Sequence, residues 1–239
     1  MKKINNKSTK KRLAFFDFDG TLVDTIVDAG RCFNKALEYF GFDPYPLDQY
    51  GKVVGGNLEI IFSKLLSPKD RTEENILKLK EKYKEIYAED KKPSTKPFNG
   101  ITEVLKYLNE NEVLIAISTN KAQILTEQLT DKLFPEIDFL SILGYCDERP
   151  SKPDPTAIEE LMIANGIEKD EVVFIGDGLT DIKTAENAKV DCILVTWGQG
   201  EIKTLSKEKA VSFIADSPRD ILDFIDGQIE KQQNFNVKD

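Results

Sequence analysis

The sequence predicts an α/β protein: a doubly wound, parallel-sheet core of the Rossmann-like type with one inserted, all-helical domain. Short apolar runs recur along the chain, helical patterns lie between most of them, and one long stretch after the first run shows helical patterns alone. Runs that are nearly continuous in apolar residues are typical of strands covered on both faces. Their alternation with helices is typical of βαβ units.

Five runs are predicted to be strands because they are short, apolar and rich in β-branched or aromatic residues. They are residues 13–18, 113–119, 139–145, 172–176 and 192–196. One helix is indicated by four apolar residues at helical spacing: Ile101, Val104, Leu105 and Leu108. Another is predicted to begin at Asp154 and Pro155, an N-cap followed by proline at the first helical position, and to end near Gly166.

The inserted domain is predicted from a stretch without strand patterns, between about residues 25 and 92. Two apolar stripes at helical spacing lie within it: Leu58, Ile61, Phe62, Leu65 and Leu66, then Ile76, Leu79, Tyr83, Ile86 and Tyr87. We therefore expect an α/β core over residues 13–24 and 93–239, a helical domain over 25–92, and a basic, solvated tail over 1–12.

The composition argues against several classes of function. The 239 residues include no histidine, which excludes Ser-His-Asp, Cys-His and His-ligated metal mechanisms. Three scattered cysteines fit the reduced thiols of a cytoplasmic protein. A net charge of -9 argues against a nucleic-acid partner, and no apolar run has the roughly 20 residues that a membrane span needs. We expect a cytoplasmic protein that binds neither nucleic acid nor membrane.

Two aspartates follow the first predicted strand. Asp17 and Asp19 are two positions apart, and side chains alternate along a strand, so both project from one face. Ligands bind at this carboxyl end of the strands in open α/β sheets. Gly20 and Thr21 let the backbone turn and bring amides close to an anion. Taken alone, the pair indicates no more than a turn with two solvated carboxylates.

Polar residues also follow other strands. Thr119 and Asn120 end the second strand, a pattern that on its own fits a helix N-cap. Lys152 is held extended before Pro153 and could reach the same sheet edge, although a surface lysine is the commoner case. Asp177 and Asp181 follow the fourth strand. Four carboxylates at one edge would repel each other unless a hard cation lay among them, and all-oxygen ligation favours Mg²⁺.

The order of these motifs resembles one family. DFDGT, STN, KPDP and GDGLTD are similar to the four motifs of the haloacid dehalogenase superfamily, and the helical insert resembles the cap domain of that family. The likeness covers nearly the whole chain from Leu13. The Trp-Gly-Gln-Gly segment at 197–200 and the Ala-Asp-Ser-Pro segment at 215–218 are similar to the phosphoglycolate-phosphatase-like branch.

The resemblance implies a Mg²⁺-dependent phosphatase that acts on a small phosphorylated metabolite. Asp17 would attack phosphorus to form an aspartyl-phosphate, and Asp19 would act as the acid and base. Thr119, Asn120 and Lys152 would hold the transferring phosphoryl group.

The resemblance also implies how the metal would be held. The ligands would be the Asp17 carboxylate, the Asp19 backbone carbonyl and Asp177, with Asp181 nearby. The dehalogenase members lack the second aspartate, so Asp19 favours phosphate chemistry.

Two other functions stay open on the sequence. A phosphomutase of the β-phosphoglucomutase type shares all four motifs and the same class of cap. A non-catalytic phosphate-binding module is less favoured because no motif position is missing. Lys52 and Asn57, which flank a glycine-rich loop of the insert, are candidates for leaving-group recognition. No arginine follows that loop closely, where relatives that act on carboxylated substrates often have one, and this departure from the family pattern argues against phosphoglycolate itself as the substrate.

Overall fold

The computed structural model describes residues 10–54 and 57–227, which form two compact units. The sheet unit comprises the residues up to Leu22 and from Pro97 onward, and the helical unit comprises Val23–Lys96. The chain thus changes unit after Leu22 and Lys96, where the sequence suggested residues 24 and 92. Within the described residues, no helix is long and apolar enough to cross a membrane.

The sheet unit is built on six parallel strands, which confirms the predicted fold class. The strands are β1 (Leu13–Phe16), β4 (Leu114–Ala122), β5 (Ser141–Tyr145), β6 (Val172–Gly176), β7 (Asp191–Val195) and β8 (Val211–Ala215). Their order across the sheet is β5-β4-β1-β6-β7-β8. Two further short strands, β2 (Val23–Asp24) and β3 (Lys96–Pro97), lie where the chain changes unit. All five predicted strands are present, with ends shifted by a few residues.

Strand β8 was not predicted from the sequence. Only Phe213 and Ala215 of its five residues are buried and the other three are half-buried, because β8 lies at the sheet edge. Ser212 interrupts its apolar run, and the Ser212 hydroxyl donates to Asp191 Oδ1 over 2.8 Å. An edge strand covered on one side lacks the continuous apolar pattern that identified the central strands.

Helices cover both faces of the sheet. They are α4 (Ile101–Glu110), α5 (Gln123–Leu133), α6 (Thr156–Ala164), α7 (Leu179–Ala188), α8 (Ile202–Leu205) and α9 (Pro218–Ile225). On one face, Leu13, Phe15 and Phe174 pack in a buried cluster with Ile158 of α6 and Ile182 of α7. Elsewhere in the unit α4 contacts α9 and β4, and α9 contacts β8. Burial of β1, β6 and β7 along their whole length follows from this two-sided packing.

The strand order reverses direction at β1 and β6. The chain leaves β1 toward β4 and leaves β6 toward β7, so the two connections diverge from neighbouring strands. In doubly wound sheets, ligands bind in the crevice that such divergence opens at the carboxyl ends of the strands. Asp17 and Asp177 follow these two strands directly.

One prediction for the basic tail is wrong. Residues 1–9 lie outside the described residues, but Lys11, predicted as part of the solvated tail, is buried in the sheet unit. Its Nζ donates to Asp191 Oδ2 over 2.5 Å and to the Asp170 carbonyl over 2.6 Å. Arg12, the residue before β1, already pairs with the neighbouring strand, because its carbonyl accepts from Leu114 N over 2.9 Å. The ion pair with Asp191, a residue distant in the chain, therefore holds the Lys11 ammonium inside the protein, where the local sequence predicted an exposed side chain.

The helical unit packs three helices around aromatic side chains. They are α1 (Ile26–Tyr39), α2 (Leu58–Leu65) and α3 (Glu73–Glu89), with short 3₁₀ turns at Leu47–Lys52 and Pro68–Asp70. Phe33 of α1 stacks on Tyr83 of α3 with ring centroids 4.0 Å apart, and meets Phe62 of α2 edge-on at 5.2 Å. Such pairs stabilise beyond the area that they bury.

Candidate active site

The two central strands bring two aspartates side by side. Asp17 extends the ladder of β1, donating its backbone N–H to the Ile175 carbonyl of β6 over 2.9 Å. Asp177 follows the last residue of β6 directly. Asp181 lies in the first turn of α7, where its Oδ2 accepts from Gly178 N over 3.0 Å. That capping bond turns the Asp181 carboxylate toward the strand ends.

Asp17, Asp177 and Asp181 form one cluster, in which one oxygen of each carboxylate lies within 4.8 Å of the others. Lys152 joins it: Nζ donates to Asp17 Oδ1 over 2.8 Å and to Asp181 Oδ1 over 2.6 Å. The Lys152 side chain is 6% exposed, and that of Asp181 is 3% exposed. These are buried, charge-assisted hydrogen bonds, which are stronger than neutral ones.

Burial and the repulsion between the carboxylates raise the pKa values of two aspartates in the cluster. Burial, followed by the charge of Asp181, raises the pKa of Asp17 to about 6, although Lys152 acts in the opposite direction. Burial and the charges of Asp181 and Asp17 raise the pKa of Asp177 to about 8. Burial works against the charge of Lys152, but the two carboxylates that it contacts raise its pKa above the usual value.

The charges of the cluster do not balance. Among the described residues, three carboxylates face the single ammonium of Lys152, which leaves two negative charges unbalanced when all three are ionised, the state in which carboxylates bind a metal. Buried like charges of this kind are costly unless a cation lies between them. Oxygen donors with this excess charge fit a hard divalent cation such as Mg²⁺ or Ca²⁺.

Glycines and the loop after β7 enclose Asp177. Gln199 N donates to Asp177 Oδ2 over 2.7 Å, and the Thr21 hydroxyl lies 3.5 Å from Oδ1. Gly20 has φ +85, and a Cβ on Gly20 or on Gly198 would collide with the Asp177 side chain. Glycine is required at both positions because the backbone approaches the carboxylate so closely.

The polar carboxyl end of β4 is irregular. Ser118 pairs with Leu143 and Ala122 with Tyr145, so three residues of β4 lie opposite one residue of β5. Residues 119–121, two more than the ladder requires, leave the regular pairing at the carboxyl end of the strand. Bulges of this type redirect side chains, and they occur often beside active sites.

Asn120 holds the backbone of Lys152. Its Nδ2 donates to the Lys152 carbonyl over 3.1 Å, and its Oδ1 accepts from Lys152 N over 2.9 Å. Both polar atoms of the amide are thereby engaged with the lysine that follows it by 32 positions. Thr119 is 6% exposed, and its hydroxyl accepts from Lys121 N over 3.3 Å.

The side chain of Asp19 has a partner that the sequence analysis did not identify. Lys121 Nζ lies 3.0 Å from Asp19 Oδ1 and 3.1 Å from Oδ2. The only local signal for this contact was a lysine placed directly after Thr119 and Asn120 at a strand end. Gln199, which donates to Asp177, was noticed in the sequence only as part of a similar motif.

The two remaining candidates belong to the helical unit. Lys52 is exposed at the end of the 3₁₀ turn. Asn57 is the N-cap of α2, and its side chain accepts from Ile60 N over 3.0 Å. The intervening Gly55 and Gly56 lie outside the described residues. A role of Lys52 and Asn57 in leaving-group recognition stays a prediction.

Comparisons with known proteins agree with this fold and site. The pattern of the haloacid dehalogenase-like hydrolases matches residues 14–195. Phosphoglycolate phosphatase 1 of Pseudomonas aeruginosa is 29% identical over 227 residues, which are 92% of this chain and 81% of that protein. Phosphoglycolate phosphatase of Aquifex aeolicus is 27% identical over 218 residues, covering 91% of this chain and 98% of that protein.

A solved structure extends the similarity to three dimensions. The crystal structure of a candidate phosphoglycolate phosphatase from Lactobacillus delbrueckii subsp. bulgaricus superimposes with a TM-score of 0.84 at 28% identity, covering 92% of this chain and 100% of that one. The match of the family pattern spans both sides of the helical insert and includes Asp17, Asp177 and Asp181. The chain therefore belongs to the haloacid dehalogenase-like hydrolases, within the phosphoglycolate-phosphatase-like branch.

Proposed function

We propose that this chain, a phosphatase of its family, hydrolyses a small-molecule phosphate monoester through an aspartyl-phosphate on Asp17, with Mg²⁺ as cofactor. The observation that supports the proposal most is the buried cluster of Asp17, Asp177 and Asp181, with Lys152 bonded to two of its members. It combines a nucleophilic carboxylate, a fixed positive charge and an excess of negative charge at one sheet edge.

The residues present fit a magnesium ion. Asp17 and Asp177 would supply carboxylate oxygens, the Asp19 backbone carbonyl is a further candidate, and Asp181 would orient a ligand or a water. Their donors are all oxygen, as Mg²⁺ prefers, and the cluster carries two unbalanced negative charges. When bound, Mg²⁺ would offset the repulsion between the Asp17 carboxylate and the phosphate and stabilise the developing charge.

Hydrolysis then proceeds in two steps on the residues of the sheet unit. An Asp17 oxygen forms a bond to phosphorus while the bond to the leaving oxygen breaks, and Asp19 gives that oxygen a proton. In the second step Asp19 takes a proton from water, whose oxygen attacks phosphorus, and the bond to Asp17 breaks. Lys152 and Thr119 hold phosphoryl oxygens, whereas Asn120 acts chiefly by holding Lys152 in place.

The substrate is proposed to be a small phosphorylated metabolite. Phosphoglycolate is the first compound to test, because the relatives are named for it. The helical unit would act as a cap that excludes water from the intermediate, with Lys52 and Asn57 as contacts to the leaving group.

The proposal is tested by hydrolysis of p-nitrophenyl phosphate with Mg²⁺ and with EDTA. We expect wild type to release inorganic phosphate without a bisphosphate activator, and both EDTA and Asp17→Asn to reduce the activity to background. Asp216→Asn is the matched control, since Asp216 also follows a strand of the sheet but is exposed.

Equal activity of wild type and Asp17→Asn would overturn the covalent mechanism. A requirement for a bisphosphate activator would favour a phosphomutase. Once hydrolysis is established, a screen of phosphoglycolate, sugar phosphates, nucleotides and pyrophosphate identifies the preferred ester.

A further inference from the structure

We infer that Lys121 is a positioning residue for Asp19, holding its carboxylate in the orientation that proton transfer to and from the substrate requires. The inference rests on the proposed function, in which Asp19 is the acid and base. It adds a second lysine with a separate task, because Lys152 contacts Asp17 and Asp181 whereas Lys121 contacts Asp19.

The contact between the two side chains is symmetric. Lys121 Nζ lies 3.0 Å from Asp19 Oδ1 and 3.1 Å from Oδ2, so one ammonium bridges both oxygens. Two short contacts to one ammonium restrict where the carboxylate can lie. A carboxylate has about four lone-pair sites on its two oxygens, so contact with one ammonium is compatible with proton transfer to or from the substrate or water.

The exposure of the two side chains shows which one orders the other. The Lys121 side chain is 7% exposed and that of Asp19 is 35% exposed. A lysine loses much rotamer entropy when it is immobilised, so it stays ordered only where its surroundings hold it. Lys121 is therefore the better-held member of the pair, and its contact restricts the rotamers of the more exposed Asp19.

Several contacts set Lys121 in place. Its backbone N–H donates to the Thr119 hydroxyl over 3.3 Å, and the Thr126 hydroxyl lies 3.4 Å from its carbonyl. Its ammonium lies 6.0 Å from the ring centroid of Phe18, the residue between the two aspartates. The bulge in β4 thus places the Lys121 ammonium beside the carboxylate of Asp19.

The chemistry shows why such positioning matters. A general acid must lie within hydrogen-bond reach of the leaving oxygen, and a misplacement of about 1 Å can cost on the order of 10²-fold in rate. Lys121 keeps its own protons throughout, because the transferred proton moves between Asp19 and the leaving oxygen or water. Losing Lys121 should therefore slow the reactions that need protonation of the leaving group, and largely spare those that do not.

The test compares two aryl phosphates by kcat/KM, which reports the formation of the aspartyl-phosphate. Phenyl phosphate has a poor leaving group that needs a proton, whereas 2,4-dinitrophenyl phosphate has a good one that does not. We expect Lys121→Met to lower kcat/KM about 10- to 100-fold for phenyl phosphate but less than about threefold for the dinitrophenyl ester. Lys121→Arg, whose guanidinium can donate to both carboxylate oxygens, should recover most of the loss.

A double-mutant cycle separates positioning from a direct role. If Lys121 acts through Asp19, adding Lys121→Met to Asp19→Asn should change kcat/KM by less than about twofold. Lys132→Met, at an exposed position of α5, is the control and should match wild type on both esters. If Lys121→Met does not fold, Lys121→Gln carries the same comparison, with thermal unfolding as the check.

An equal loss on both esters would overturn the inference, and so would a loss that persists in the Asp19→Asn background. Either result would mean that Lys121 contacts the phosphoryl group or supports the fold. These failures differ from failure of the proposed function, which would show as wild-type activity unaffected by EDTA and by Asp17→Asn.

Discussion

Each unit of this protein buries a cluster of aspartates, but the two clusters differ in their charge balance. In the helical unit, Asp28 and Asp90 face Arg31 and Lys35, so two carboxylates meet two cations. In the sheet unit, three carboxylates face the ammonium of Lys152. The first cluster is neutral and the second carries two excess negative charges among the described residues.

The pKa values of the aspartates also differ between the two clusters. Burial alone would raise the pKa of Asp28. Hydrogen bonds from Thr95 and Ser94 and the charge of Arg31 outweigh burial, so the pKa of Asp28 lies below its usual value. The distances are short: Asp28 Oδ2 accepts from the Thr95 amide and hydroxyl over 2.7 Å each, and Arg31 Nη1 lies 2.9 Å from Oδ1. Asp17 and Asp177, by contrast, have their pKa raised.

The contrast teaches that burial of acidic groups does not by itself indicate a metal or catalytic site. The cluster of the helical unit is balanced in charge by its own cations, and it ties α1 to the segment that follows α3. The cluster of the sheet unit is unsatisfied without a ligand, and unsatisfied charge is typical of functional sites. The same substitution should therefore act in opposite ways in the two places.

The largest expected effect is on activity. Asp177→Asn removes a proposed metal ligand, and we expect kcat/KM for p-nitrophenyl phosphate to fall by about 10³-fold. Asp28→Asn, in the balanced cluster, should stay within about threefold of wild type while the protein is folded. Steady-state kinetics on both purified variants measures the difference. Similar losses in the two variants would break the contrast.

The next effect is on stability. Asp28→Asn leaves Arg31 with Asp90 as its partner and weakens three hydrogen bonds, from Ser94 N, Thr95 N and the Thr95 hydroxyl. We expect the free energy of unfolding to fall by about 2 kcal/mol, because buried hydrogen bonds to a charged carboxylate are replaced by weaker ones to a neutral amide. Urea unfolding followed by circular dichroism measures it. A loss below about 0.5 kcal/mol would show that this network is dispensable.

A smaller effect concerns pH and Mg²⁺. The pKa of Asp17 is raised to about 6 and that of Asp177 to about 8, so both gain protons as the pH falls from 8 to 6. Metal binding must displace those protons, and the apparent Mg²⁺ affinity should drop roughly 10- to 100-fold over this range. Calorimetry in buffers of different ionisation enthalpy counts the protons released. A Mg²⁺ affinity that is constant with pH would contradict the raised pKa values of Asp17 and Asp177.

The smallest effect has the opposite sign to that of Asp28→Asn. In EDTA above about pH 8, where Asp177 is ionised, Asp177→Asn relieves repulsion within the acidic cluster, while its side-chain oxygen can still accept from Gln199 N. We expect the metal-free protein to gain about 1 kcal/mol of stability, as is common when a strained functional site is neutralised. Thermal unfolding with and without Mg²⁺ tests this, since Mg²⁺ should stabilise wild type and not the variant. Destabilisation in EDTA would mean that the cluster is balanced after all.

Much of the fold follows from local patterns in the sequence. The central strands are continuous apolar runs because helices cover both of their faces, and Asp17 and Asp177 stand out because they follow such runs directly. The same reasoning missed β8, whose half-buried edge position gives a weaker pattern. It also assigned Lys11 to solvent, because nothing near Lys11 in the chain indicates its partner Asp191, 180 positions away.

The sequence by itself determined the type of sheet, the helical insert and the aspartates that end neighbouring strands, since these depend on residues a few positions apart. Only the tertiary structure decided which charges meet. Lys152 reaches Asp17 across 135 positions, and Lys121 reaches Asp19 across 102. Such pairings depend on strand order and on the bulge in β4, and neither has a local signature. The physical reason is that electrostatic energy depends on distance in space, whereas a sequence records only distance along the chain.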